Sequence, residues 1–415
     1  MLTNNDIKKI NIVRHRYDLY DYKGIPASDR RYSIHQYPAM LHYMLVRELL
    51  IKYSTDSTIV YDPFCGSGVT ITESILQKRK VLGSDINPLG LLITNVRSSN
   101  YEQEELLKIY NDFNLNYDGL IPDIPEIKNI DYWFKPQVIN DLGKIRKYVS
   151  QISNIALKEF VLVVFSETAR RVSNNRNGEF KRFRLDESSL NNYNPDTINT
   201  FKKIFIEYMN ILTDNPIPDT DFALYLHDVR QPLPFNEKVD LVITSPPYGD
   251  SRTTVAYGQF SSFALDWIYG LNPFGDANLS LDKLSLGGKN VDDVLTLPSG
   301  TLNTTLNKIY DKNPQRAKDV YSFFYDLYLC CKQIVNQLNE HAIVCFIVGN
   351  RQVAGVEIPM DYIVAEFFTA LGLEYINTLV RKISNKRMPM QNSPSNMQGR
   401  KSTTMKYEYV VVCRR

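Results

Sequence analysis

Two short strings carry most of the chemistry-bearing residues of this chain: Asp62-Pro63-Phe64-Cys65-Gly66-Ser67-Gly68 and Thr244-Ser245-Pro246-Pro247-Tyr248. In the first, Gly66 and Gly68 remove β-carbons, so a ligand can pass close to the backbone. The loop lacks the lysine of a phosphate-binding loop, which suits a mononucleotide poorly. In the second, the Ser245 hydroxyl and the Pro246 carbonyl offer two acceptors for the hydrogens of an aromatic amine. Holding both hydrogens favours a pyramidal nitrogen, whose lone pair is otherwise delocalised into the ring. Pro246-Pro247 stiffens the turn, so the acceptors need no reorganisation. Tyr248 supplies a face for stacking a base, worth about 1–3 kcal/mol. Either string alone is equally an ordinary turn after a strand. Together they point to methyl transfer from S-adenosylmethionine to the amino nitrogen of a nucleobase, with no metal. In duplex DNA that base must first be flipped out.

Such groups need strand ends to hold them. Residues 58–61 read as a short β-branched strand that runs into the glycine loop, and residues 69–76 as the helix after it. Residues 81–85 form the next strand, ending in Asp85, which is placed to accept hydrogen bonds from two ribose hydroxyls. A helix starts at Pro88. Strand, loop, helix, strand is the opening of a doubly wound α/β sheet. A further helix is expected over 38–50. From 101 to 222 helical periodicity dominates, as in 138–148 and 157–171, and an inserted helical lobe is expected. The α/β pattern returns with strands at 223–226 and 239–244. Asp228, just after the first of these, is expected to bind the adenine amino group. Residues 250–300 read as a long loop with short helices. A long helix over 317–338, a buried strand over 341–348, a helix over 362–371 and strands over 373–382 and 407–413 complete the chain. Residues 1–30 read as a polar surface arm.

Bulk properties set few limits. Hydrophobic residues make up 43% of the chain, ample for a core, and the formal net charge is only +2, which decides nothing about nucleic acid. No apolar run is long enough to span a bilayer, and the polar start does not read as a signal peptide. The cysteines are odd in number, five, and show no metal spacing. They are expected to be reduced thiols in a cytoplasmic protein.

The residues above resemble the motifs of the S-adenosylmethionine-dependent DNA amino-methyltransferases. Asp62 to Gly68 is similar to the first motif of that family, Gly83 to Pro88 to the second, His227-Asp228 with residues 232–234 to the third, and Thr244 to Tyr248 to the fourth. Residues 33–40 resemble the segment that closes over the cofactor methionine. The resemblance implies a Rossmann-like class I methyltransferase sheet, formed by 1–100 and 223–415, with 101–222 as the inserted lobe and a candidate DNA-recognition region. It implies cofactor contacts at Tyr37, Pro38, Asp62, Phe64, Gly66, Gly68, Asp85, Ile86, Asn87 and Asp228, and catalytic roles for Ser245, Pro246, Pro247 and Tyr248. Serine before Pro-Pro-Tyr is typical of cytosine-N4 enzymes in the family. Adenine-N6 methylation of DNA, and amino-methylation of an RNA base, stand as alternatives; a dead methyltransferase fold that only binds DNA is a third. The resemblance also implies double-stranded DNA as substrate and a separate cognate restriction endonuclease. A Pro-Cys nucleophile for cytosine-C5 chemistry is absent from the sequence.

Three segments offer nucleic-acid contacts. Residues 170–184 concentrate arginine, asparagine and lysine, with Arg171, Asn174, Arg176, Lys181 and Arg182 as candidates. Residues 381–401 run without an acid and present Lys386, Arg387 and Arg400. Arg252 follows the Pro-Pro-Tyr turn directly. A solvated basic surface is the plain alternative for the first of these. His35 and His42 are expected to pack or bond locally.

Overall fold

The computed structural model describes residues 10–176, 181–248, 256–276, 281–291, 296–383, 391–392, 402–403 and 405–415. The strands are β1 (Arg14–Arg16), β2 (Val60–Asp62), β3 (Val81–Asp85), β4 (Phe222–Leu226), β5 (Val239–Thr244), β6 (Leu338–Val348), β7 (Arg351–Val353), β8 (Val356–Ile358), β9 (Glu374–Lys382), β10 (Gln391–Asn392), β11 (Ser402–Thr403) and β12 (Tyr407–Arg414). Eight of them form one sheet in the order β1-β9-β12-β6-β5-β2-β3-β4. Strands β6, β5, β2, β3 and β4 run parallel, whereas β12 is antiparallel to both its neighbours. The fold is α/β, a Rossmann-like class I methyltransferase sheet.

The chain leaves β2 toward β3 on one side and returns to β5 on the other. This is a topological switch point, where the loops after neighbouring strands diverge and open a crevice. Both motif strings sit there, because β2 ends at Asp62 and β5 at Thr244. Helix Val69–Leu76 starts directly after the left-handed Gly68, whose φ is +81°. Helix Pro88–Arg97 is capped by Asn87, whose side chain accepts from the Leu89 N–H, with proline in the first turn.

Helices cover both sheet faces. Leu45, Leu49, Ile71 and Ile75 pack on one face. On the other lie Phe323, Leu327 and Ile334 of helix Pro314–Gln337 with Ile363 and Phe367 of Met360–Ala370. Between β3 and β4 the chain forms helices Gln103–Asn116, Pro136–Gln151, Ile155–Val172 and Thr197–Asp214, and no strand is described there. These helices share one core with Leu89, Leu92 and Val96 and with Phe263 and Trp267 of helix Tyr257–Ile268. The inserted region is therefore packed onto the catalytic elements rather than hung beside them.

Three expectations need correction. The helix expected from Pro38 begins at Tyr43, because the His42 side chain caps it. His35 and Ala39 before it have φ of +53° and +57°, which bars a helix through residues 35–39. The polar arm is not loose at Arg14–Arg16, which adds β1 to the sheet edge beside β9. Arg14 clamps the buried Asp361 through two hydrogen bonds of 2.8 and 3.0 Å. Finally, residues 257–268 form a three-turn helix where only short helices were expected.

Candidate active site

The two strings open into one cleft of about 970 Å³, counted out to its mouth. Its lining includes Gly66 and Ser245 together, with Asp62, Phe64, Asp85, Ile86, Asn87, Asp228 and Pro247. Tyr37, Pro38, Ala39, Met40 and Leu41 close another side.

Backbone hydrogen bonds shape the glycine loop. Asp85 takes the Gly66 N–H on one carboxylate oxygen and the Asn87 N–H on the other, both at 2.8 Å. Gly66 has a φ of +50°, and a β-carbon there would lie 3.3 Å from the Tyr37 ring. Gly68 faces elsewhere: its β-carbon would strike Thr94 at 2.5 Å, and Gly68 is not part of the cleft lining. Its absence of side chain serves loop-to-helix packing, not ligand approach. Tyr37 accepts from the Asn87 amide at 3.1 Å and lies 6.0 Å from the Tyr257 ring.

Asp62 is buried at the cleft floor and accepts from the Thr244 hydroxyl at 2.6 Å and the Phe64 N–H at 3.1 Å. Burial pushes its carboxyl up to about 6, against the pull of those donors. Ser245 and Tyr248 join hydroxyls at 2.8 Å. The Tyr248 carbonyl accepts from Arg351 at 3.0 Å. Burial drives the Tyr248 phenol up, so it stays protonated.

Asp228 lines the cleft, but its carboxylate is taken. Arg230 donates to it from Nε and Nη2 at 2.7 to 3.1 Å, and the Arg230 N–H adds a bond of 3.0 Å. Three N–H donors of Arg230 therefore occupy most of the roughly four lone-pair sites of this carboxylate, which leaves little of it for the adenine amine expected there. Burial would raise this carboxyl, yet Arg230 holds it below its ordinary value.

Sequence reasoning missed Arg97. It is fully buried, and its guanidinium reaches the carbonyls of Tyr32 (3.1 Å), Ile34, His35 (3.1 Å) and Ser67 (2.8 Å). It thereby ties the segment before Tyr37 to the glycine loop. Tyr257, Leu281, Leu284, Leu286 and Cys330 also line the cleft without having been singled out.

The DNA methylase family (N6_N4_Mtase) matches residues 4–93. Over 444 aligned positions the chain is 33% identical to the Type II methyltransferase M.MvaI of Kocuria varians, covering 98% of this chain and 95% of that protein. The chain belongs to the S-adenosylmethionine-dependent DNA amino-methyltransferase family. The orphan methyltransferase M.BamHII of Bacillus amyloliquefaciens is 36% identical over 66 residues, 16% of this chain and 25% of its own. A solved rRNA methyltransferase, aviRa from Streptomyces viridochromogenes, aligns over 92% of this chain and 88% of its own at 11% identity with a TM-score of 0.31. That likeness is too distant to bear on fold or substrate.

DNA is therefore the methyltransferase's substrate, and the basic turn of the inserted region divides into two groups. Arg176 and Lys181 are exposed. Arg171 is half-exposed and bonded to Glu167 at 2.6 Å. Asn174 is buried, with its amide donating to the Tyr132 carbonyl at 3.1 Å. Arg182 lies 4.4 Å from the Phe263 ring centre and donates to Ser262 at 2.5 Å. Asn174 and Arg182 thus hold the turn in place and are not free to meet bases. Arg252, Lys386, Arg387 and Arg400 lie outside the described residues. His35 is buried with Nδ1 at 2.8 Å from the Gln36 carbonyl, and burial lowers it to about 4. It is neutral at pH 7. Among the described residues no helix is long and apolar enough to cross a membrane.

Proposed function

We propose that this methyltransferase modifies the exocyclic N4 amine of a cytosine flipped out of double-stranded DNA, as the protective enzyme of a restriction–modification system in a prokaryotic cytoplasm. The observation that carries the reading is the single cleft shared by Gly66 and Ser245. The near full-length similarity to a Type II methyltransferase supports the system-level part.

The residues fit S-adenosylmethionine. Helix Val69–Leu76 begins without a side-chain cap, and its first residues Val69 and Thr70 line the cleft. Its N-terminal amides suit the cofactor carboxylate. Asp62 offers an acid to the cationic end. Asp85 keeps lone pairs for ribose hydroxyls beyond the two it spends on backbone. Phe64, Ile86 and Val229 give apolar walls for adenine. When bound, the cofactor supplies a methyl group on a positively charged sulfur.

Ser245 and the Pro246 carbonyl then hold the two hydrogens of the target amine, and its nitrogen lone pair forms the new bond to carbon. With the methyl carbon passing from sulfur to nitrogen, the amine would lose one proton to solvent. Ser245 is a neutral acceptor. Its oxygen lies 2.8 Å from the Tyr248 hydroxyl and, whichever of the two donates, keeps a lone pair for the substrate. The Pro247 ring, part of the cleft lining, borders the base, and Tyr248, outside that lining, is assigned the stacking face.

The test is incubation with labelled S-adenosylmethionine and duplex DNA, followed by nucleoside identification. N4-methylcytosine is expected. N6-methyladenine would overturn the target base, and label confined to RNA would overturn the substrate.

A further inference from the structure

Residues 281–288 contribute to the cleft lining and are fastened at two points. At one point Arg230 donates from Nη2 to the Leu284 carbonyl at 2.7 Å and from Nη1 to Asp326 at 2.8 Å. Asp326 also accepts the Gly287 N–H at 2.8 Å. At the other point Asp282 accepts the Gly258 N–H at 2.8 Å, directly beside Tyr257. A β-carbon on Gly258 would lie 2.8 Å from the Asp282 carboxyl carbon, so glycine is what permits this approach. Along this segment Leu281, Leu284 and Leu286 line the cleft.

We propose that Arg230 is a positioning residue for the cofactor: it locks residues 281–288 as an apolar strap over the adenosyl group. The proposal rests on reading the cleft as the S-adenosylmethionine site. It gives Asp228 a different task from a direct adenine contact. Asp228 orients the Arg230 guanidinium so that its remaining donors reach Leu284 and Asp326. A flat adenine ring needs apolar cover, and Leu284 and Leu286 line the same cleft as Ile86. Release of the cofactor then requires the strap to lift, which breaks the Arg230 and Asp282 bonds. Because Asp282 is joined to the residue after Tyr257, strap and base-side helix move as one.

The test measures dissociation of labelled S-adenosylmethionine from the full-length protein and its variants. Arg230→Gln should release the cofactor about tenfold faster and raise its KM in step, with kcat within about twofold of wild type. Arg230→Lys, which keeps the charge but not the fork, should recover part of the effect. Asp282→Ala should also speed release, whereas Asp282→Asn, which keeps an acceptor oxygen, should not. Lowered stability with unchanged release rates would overturn the proposal. If Arg230→Gln fails to fold, wild-type release from Asp282→Ala overturns it equally. No cofactor binding by the wild-type protein would instead overturn the reading of the cleft itself.

Discussion

Thr244, the last residue of β5, donates its hydroxyl proton to the Asp62 carboxylate at the end of β2, 2.6 Å away. This bond ties the cofactor loop to the Ser-Pro-Pro-Tyr turn across the switch point. Both side chains are buried. Thr244→Val keeps the volume and removes the donor. A buried carboxylate short of one hydrogen bond costs about 1–3 kcal/mol. Urea denaturation at pH 7 should show that loss, and unchanged stability would mean the bond contributes nothing to the fold.

Asp62 makes cofactor binding sensitive to pH. Its carboxyl stands at about 6, above the ordinary carboxylate value, because burial penalises the charge. A group raised in the folded state stabilises the fold fully at low pH, and that contribution disappears as pH rises through about 6. A cationic ligand has the opposite preference, since it favours the ionised carboxylate. Affinity for S-adenosylmethionine should therefore rise with pH through about 6, by at most about tenfold per unit, and then level off. Asp62→Asn should bind weakly with a flatter profile, and should be no less stable than wild type at pH 7. Calorimetric titration between pH 5 and 8 measures both, and a flat wild-type profile would refute the role.

The Ser245–Tyr248 contact separates two contributions of one tyrosine. Tyr248→Phe keeps the ring but loses the 2.8 Å hydroxyl bond. Its kcat should fall about tenfold, the worth of one hydrogen bond, with cofactor affinity unchanged. Tyr248→Ala should lose more, because stacking goes too. Ser245→Ala should match or exceed Tyr248→Phe, and the double variant should be no worse than Ser245→Ala alone. Additive losses in single-turnover methylation would show that the two hydroxyls act independently.

Local chemistry made part of this molecule legible. Strands β3 and β5 and helix Val69–Leu76 stand where their β-branched runs and the glycine loop put them. The shared cleft follows from that order. What stayed hidden depends on distant partners. β1 is Arg-His-Arg with every residue exposed, and only pairing with β9 and the Asp361 clamp make it a strand. Arg97 bonds backbone carbonyls, which leave no side-chain signature in a sequence. Composition marked Arg182 as a basic surface residue, yet Phe263, 81 positions away (263 − 182), covers it. Asp228 looked free because Arg230, two residues later, reads as a charged neighbour rather than a bidentate partner.

The same division within the basic turn predicts two kinds of variant. Arg176 and Lys181 are exposed and suited to phosphate, so each alanine substitution should weaken DNA binding at all sequences alike. Each should also flatten the dependence of log K on log salt by about 1, as one fewer counterion is released. Asn174 and Arg182 are packed against Tyr132, Trp133 and Phe263. Alanine at either should lower the unfolding temperature, by an amount equivalent to about 1–3 kcal/mol, and leave the salt slope of the surviving folded protein unchanged. Binding isotherms at several salt concentrations, with thermal unfolding on the same samples, distinguish the two. A salt slope that drops for Arg182→Ala but not for Lys181→Ala would reverse the assignment, and would put the buried guanidinium on DNA after all.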